Sequence, residues 1–167
     1  MVKFIWHDGN VPQGLKITQV YGIIFTKDGR ILIAKRKDKN GNTYYSLAGG
    51  RPEPFDKDFE DTLRRELIEE VNTTIEKPIL VGYQEVDIGD NSPTFAQLRM
   101  VAVVDKIGKK QPDPDNGETY DRLLTTYPKA IKLINWGIEG KMQIEASAKI
   151  AHEKLGVNFI NDKEEYV

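Results

Sequence analysis

β-Branched and aromatic residues crowd the segment from Ile17 to Phe25, a pattern that predicts a strand. Lys27-Asp28-Gly29-Arg30 then supplies an Asp-Gly turn, and Ile31 to Ala34 reads as the partner strand of a hairpin. A short extended segment, Tyr44 to Leu47, runs into Gly49-Gly50 and the Pro-rich loop Arg51-Pro52-Glu53-Pro54. Leu63, Leu67 and Val71 next form a single apolar stripe at helical spacing. Asp58 is the expected N-cap of this helix, Glu60 and Asp61 suit its first turn, and Asn72 is the expected left-handed stop. Val81 to Ile88 and Gln97 to Val104 read as strands around the turn-rich Gly89-Asp90-Asn91-Ser92-Pro93. After the loop Gln111 to Thr119 come a short strand, Arg122 to Thr125, and two helices. The first is expected from Pro128 to about Trp136, and the second from about Lys141 to Leu155 with Gly156 as its stop. Strands interleaved with a few helices imply an α/β fold, with helices covering a mixed sheet.

A chain of 167 residues is expected to form one domain over residues 1–160, followed by a mobile polar tail, residues 161–167. Its net charge of −2, with acids and bases mixed throughout, provides no basic block for polymeric nucleic acid. A small phosphorylated ligand remains compatible with that surface. No apolar run is long enough to span a bilayer, and MVKFIWHDGN lacks a secretory apolar core, so a cytoplasmic location is expected. The absence of cysteine excludes disulfides, a thiolate nucleophile and thiolate-bound zinc.

The chemistry concentrates in Arg65-Glu66-Leu67-Ile68-Glu69-Glu70. Glu66 and Glu70 stack one turn apart and Glu69 borders the same face, so three carboxylates repel one another there. A divalent cation resolves that conflict, and all-oxygen donors suit Mg²⁺, or Mn²⁺ in its place, better than zinc. On the helix alone, a merely solvated acidic face is the competing reading. The order of strand, Gly49-Gly50 loop and triple-Glu helix is the sharper joint signal, because paired glycines let backbone approach a ligand closely.

Taken together, Ala48-Gly49-Gly50 through Arg65-Glu66-Leu67-Ile68-Glu69-Glu70-Val71-Asn72-Thr73 resembles the Nudix box of the MutT-like phosphohydrolases. The Arg-Glu-apolar-x-Glu-Glu core matches fully. Asp56 stands where the family has a glutamate, with one extra residue before Arg65; Asn72 replaces the usual glycine and Thr73 the final apolar residue. The wider resemblance runs over about residues 16 to 138. It implies a Nudix-like α/β/α sandwich built on a mixed β-sheet and a Mg²⁺-dependent hydrolase that cleaves a phosphoanhydride of a nucleotide-like substrate. The metal ligands implied are Glu66, Glu69 and Glu70, with a weaker contribution from Asp56. Arg65 is expected to orient a box carboxylate and Gly49 and Gly50 to shape the metal-site loop; Glu118, on the loop after the central strands, is the candidate general base, with a solvated turn residue as the competing reading. A Nudix-fold sensor that binds a nucleotide without cleaving it is the alternative, and the last helix either covers the sheet or supports a homodimer.

Overall fold

The Asp28-Gly29 turn forms as its residues dictate. In a computed structural model describing residues 1–167, Gly29 takes φ 92° and the Thr26 N–H donates to the Arg30 carbonyl at 2.8 Å. The chain begins with β1 (Lys3–Asp8), β2 (Lys16–Phe25), β3 (Arg30–Lys37), β4 (Thr43–Ser46) and β5 (Ala48–Gly50). There follow α1 (Phe59–Val71), β6 (Thr73–Ile75), β7 (Ile79–Asp87), β8 (Phe95–Ile107), β9 (Asp121–Thr126), α2 (Tyr127–Ile134), α3 (Gly137–Leu155) and β10 (Glu165–Tyr166). The sheet runs β1-β7-β8-β2-β3-β9-β10, with β4 on β3, β5 on β2 and β6 on β8. It is mixed: β2 and β8 are parallel, and the remaining pairs are antiparallel.

Alternation along β2 splits the core into two layers. Val20 and Ile24 face α1, packing with Leu63, Leu67 and Val71. Ile23 and Phe25 face the other way, into a layer completed by Ala130 and Ile134 of α2 and Ile144, Ala148 and Ala151 of α3. Helices on both faces of a mixed sheet give an α/β/α sandwich. The fully buried Leu63 and Leu67 each contribute about 1.5–3 kcal/mol of apolar burial, which fixes which face α1 turns outward. Gly22 lets that helix approach closely, since a Cβ there would lie 2.9 Å from Leu63 Cδ1.

The caps of α1 are those expected. The Asp58 carboxylate accepts the Asp61 N–H at 2.8 Å, and Asn72 sits in the left-handed region at φ 43°. Asn72 also donates through Nδ2 to the Lys109 carbonyl, so its side chain adds a tie between this helix end and the β8–β9 connection. Thr73 is buried and its hydroxyl is satisfied by the Val71 carbonyl at 3.0 Å. Three features depart from expectation. Lys3–Asp8 is a strand, pairing antiparallel with β7. Its edge position leaves Phe4 and Ile5 half-exposed, so no apolar alternation marks it. α3 begins at Gly137 rather than Lys141, because the weak helix formers Gly137 and Gly140 disguise a first turn that Glu139 supports with its charge. The tail, expected to be mobile, is pinned. β10 pairs with β9, Arg30 meets Glu165 at 2.7 Å, and the Val167 carbonyl accepts from buried Arg122 at 3.1 Å. No helix is long and apolar enough to cross a membrane.

Candidate active site

Strand β5 places two glycines against the acidic face of α1. It pairs with β2 through Val20–Gly50 and Tyr21–Gly49. The Gly49 N–H donates to Glu70 Oε2 at 3.0 Å, while a Cβ at Gly50 would fall on the Glu66 carboxylate. Gly49 itself has φ 154°, and a side chain there would press on Tyr21, 2.8 Å from its Cδ1. Glycine at both positions therefore lets backbone sit where any larger residue would displace a carboxylate or the neighbouring strand.

Two arginines organise the carboxylates. Arg65 Nη1 donates to Glu66 Oε1 at 2.9 Å and to Glu69 Oε2 at 3.1 Å. The rest of its guanidinium grips Asp56 with two parallel bonds, Nε to Oδ1 at 3.0 Å and Nη2 to Oδ2 at 2.9 Å. Asp56 Oδ2 also accepts the Glu53 N–H and the Thr62 hydroxyl, both at 2.8 Å. Arg36 Nη2 meets Glu70 Oε2 at 2.7 Å, and its guanidinium lies 4.3 Å from the Tyr120 ring centroid. Each box carboxylate thus has a cationic partner, and no three acidic or histidine side chains share one ligating point in this arrangement.

The electrostatics show how crowded the face is. Burial, together with the neighbouring Glu70 and Glu69, pushes Glu66 up to about 7 against the pull of Arg65. Glu69 and Glu70 are also raised, chiefly by burial, with Arg65 and Arg36 respectively opposing the shift. Asp56 goes the other way, held well below the usual carboxylate range by the Arg65 hydrogen bonds. Buried Asp113 is a loop charge that raises both Glu69 and Glu70, and Asp115 acts on Glu69. Neither was singled out from sequence, where both lie within the loop Gln111 to Thr119. Glu118 lies elsewhere on that loop. It lines an open depression of about 520 Å³ with Lys35, Arg36 and Lys37, and Arg36 spans from there to Glu70. Arg36 was also missed, since nothing in an Arg-Lys run on a strand distinguishes it.

An α/β/α sandwich that presents a strand–glycine loop–acidic helix in this way defines the Nudix class of hydrolases. Residues 16–131 match the family model described as the NUDIX domain, and the chain belongs to that family; it is a Nudix-type hydrolase. Similar solved structures include a Nudix hydrolase from Nitrosomonas europaea, 16% identical with a TM-score of 0.61, covering 78% of this chain and 88% of that one. The E. coli ORF135 protein is 21% identical with a TM-score of 0.58, over 87% and 98% of the two chains. A MutT structure, from work on Aliivibrio salmonicida and Vibrio cholerae, is 20% identical with a TM-score of 0.56, over 78% and 98%. At these identities the likeness speaks for the fold.

Proposed function

We propose that the protein hydrolyses a phosphoanhydride bond in a nucleoside polyphosphate or a nucleoside diphosphate-linked compound, with Mg²⁺, or Mn²⁺ in its place, held by Glu66, Glu69 and Glu70. The observation that carries this reading is the gathering of three carboxylates on one face of α1, with Glu66 forced up to about 7 by burial and its acidic neighbours. Although the three carboxylates do not converge on one point here, a donor set made only of oxygens, beside a glycine cradle that leaves no room for a side chain, suits a hard divalent cation. Bound there, the cation would neutralise phosphoryl charge and lower the pKa of an attacking water.

The chain's own groups divide the remaining work. Asp56, with its oxygens already engaged by Arg65, Glu53 and Thr62, serves by holding Arg65 rather than as a ligand. Arg65 in turn orients Glu66 and Glu69, and the Gly49 N–H orients Glu70. Lys35, Arg36 and Lys37 make the adjoining depression attractive to phosphate oxygens. Glu118, which lines the same depression, is the group we assign to take a proton from water.

The test uses Glu69→Gln and Glu70→Gln, with Glu76→Gln beyond the helix end as control. Thermal midpoints are read with and without Mg²⁺, alongside release of phosphate or mononucleotide from a panel of nucleotide anhydrides. Both box variants should lose metal-dependent stabilisation and fall by orders of magnitude in turnover, since charge stabilisation at phosphorus contributes several kcal/mol. The control should match wild type. Wild-type turnover in both box variants would overturn the assignment, while Mg²⁺-dependent stabilisation with no product from any compound would make the protein a sensor.

A further inference from the structure

On the opposite face of β2 from α1, a cavity of about 480 Å³ opens between β1, β7, β8 and the start of α3, walled by Phe4, Tyr21, Trp136 and Ile138. Arg99 lines it. The residue is 1% exposed and makes no ion pair, yet its guanidinium cannot be discharged at neutral pH even though burial pulls its pKa down to about 10. Nε donates to Gln143 Oε1, and Nη1 donates to the Leu98 carbonyl at 3.2 Å and the Gln97 carbonyl at 3.4 Å. Nη2 has no protein acceptor and, since no fully enclosed polar atom in the protein lacks a partner, it opens onto the cavity.

The hydrogen bonds around Arg99 run in one direction. Because arginine can only donate, Gln143 must turn its oxygen toward it and its amide outward. Gln143 Nε2 then donates to Gln84 Oε1 at 3.1 Å, Gln84 Nε2 to Gln97 Oε1 at 3.3 Å, and Gln97 Nε2 to Gln19 Oε1 at 2.6 Å. Tyr21 donates its hydroxyl to that same Gln19 oxygen at 3.0 Å. The relay engages each amide oxygen and leaves Arg99, Gln84 and Gln97, all of which line the cavity, with N–H groups to spare. Such a wall demands acceptors from whatever fills it, because a ligand presenting donors would leave buried donors unpaired. The aromatic walls favour a flat ring. Glu139, whose Oε2 accepts the Trp6 amide N–H, has a second oxygen suited to a ring N–H beside such an acceptor.

Tyr21 joins this cavity to the acidic site. Its ring borders the cavity on one side, and its Cδ1 lies 2.8 Å from where a Gly49 Cβ would be, on the strand whose N–H holds Glu70. We infer that the cavity receives the base of the nucleotide and that Arg99 selects a keto edge, as in hypoxanthine, guanine or uracil, over an amino edge. This deepens the hydrolase reading, on whose nucleotide substrate it rests.

The experiment is calorimetric binding of IMP and AMP, which differ only at the keto or amino edge. Neither has an anhydride to cleave, and EDTA removes the metal, so the outcome does not depend on hydrolysis. Wild type should prefer IMP by about tenfold or more, the scale of one well-placed base contact. Arg99→Met should bring the ratio to near unity, whereas Trp136→Ala, at the half-exposed wall, should weaken both ligands and keep the ratio. An IMP preference that survives in Arg99→Met would overturn the assignment to Arg99, and Arg99→Lys, which loses the guanidinium fork, gives the same reading if the methionine variant fails to fold. Equal affinity for IMP and AMP would overturn the inference. So would ribose 5-phosphate binding as tightly as IMP, which would assign Arg99 to a phosphate. If the IMP preference stands while no anhydride is hydrolysed, the hydrolase reading fails and the base-selecting cavity survives.

Discussion

Replacing Asp56 by asparagine tests whether this carboxylate is a clamp on Arg65. The side chain is 4% exposed and its two oxygens receive four donors: Arg65 Nε and Nη2, the Glu53 N–H and the Thr62 hydroxyl. Asparagine keeps the shape but offers one oxygen. If that oxygen stays where three donors converge, its NH₂ must face Arg65 Nε–H, donor against donor. Removing one partner of a fully buried ion pair costs about 3–5 kcal/mol. Here Arg65 is 18% exposed and retains Glu66, Glu69 and the Arg51 carbonyl, so the charge is not stranded and about 2 kcal/mol is expected. Urea unfolding at pH 7 should show a lower midpoint with an unchanged slope. Turnover should fall with it, because Arg65 is what orients Glu66 and Glu69. A stability change under about 0.5 kcal/mol, the range of an ordinary surface substitution, would refute the clamp. Full activity at reduced stability would refute its link to the carboxylates.

Two other perturbations address the glycine cradle and the tail. Gly50→Ala puts a methyl on the Glu66 carboxylate, which can move only by leaving Arg65; folding should survive while turnover drops on the order of 100-fold, the usual cost of an ångström of misplacement. Circular dichroism paired with the hydrolysis assay checks both halves. Truncation after Asn161 removes the Val167 carbonyl from buried Arg122 and should cost about 2 kcal/mol in urea melts. Glu165 and Glu164 are held below the usual carboxylate range by Arg30 and Lys129 respectively. A depressed folded-state pKa stabilises above the unfolded value and is lost as pH falls through the folded one, so the gap between full-length and truncated protein should narrow below about pH 4. A constant gap from pH 7 to pH 3 would exclude these carboxylates.

What the sequence made legible was local chemistry, and what it hid was tertiary. The α1 caps, the Asp28-Gly29 turn and the apolar stripe of Leu63, Leu67 and Val71 each depend on residues within a few positions of one another, and each is present. The acidic face could be read because Glu66, Glu69 and Glu70 share one helix, where spacing alone sets their neighbourhood. The charges that meet that face from other elements could not. Arg36 arrives from β3 and Asp113 from the loop before β9, and only the sheet order brings these segments to α1. β1 escaped notice because an edge strand need not alternate, and β10 because a two-residue strand has no period to show. Arg99 is the most instructive omission. In the sequence it is one polar residue amid Met100-Val101-Ala102-Val103-Val104, indistinguishable from an outward-facing strand position. Only folding reveals that its neighbours are glutamines from three other elements, β2, β7 and α3, linked in one donor chain with Gln97 of its own strand. Amides can accept its hydrogen bonds without neutralising its charge. A buried guanidinium surrounded by neutral acceptors is costly to the free protein, and binding a ligand rich in acceptors offsets that cost.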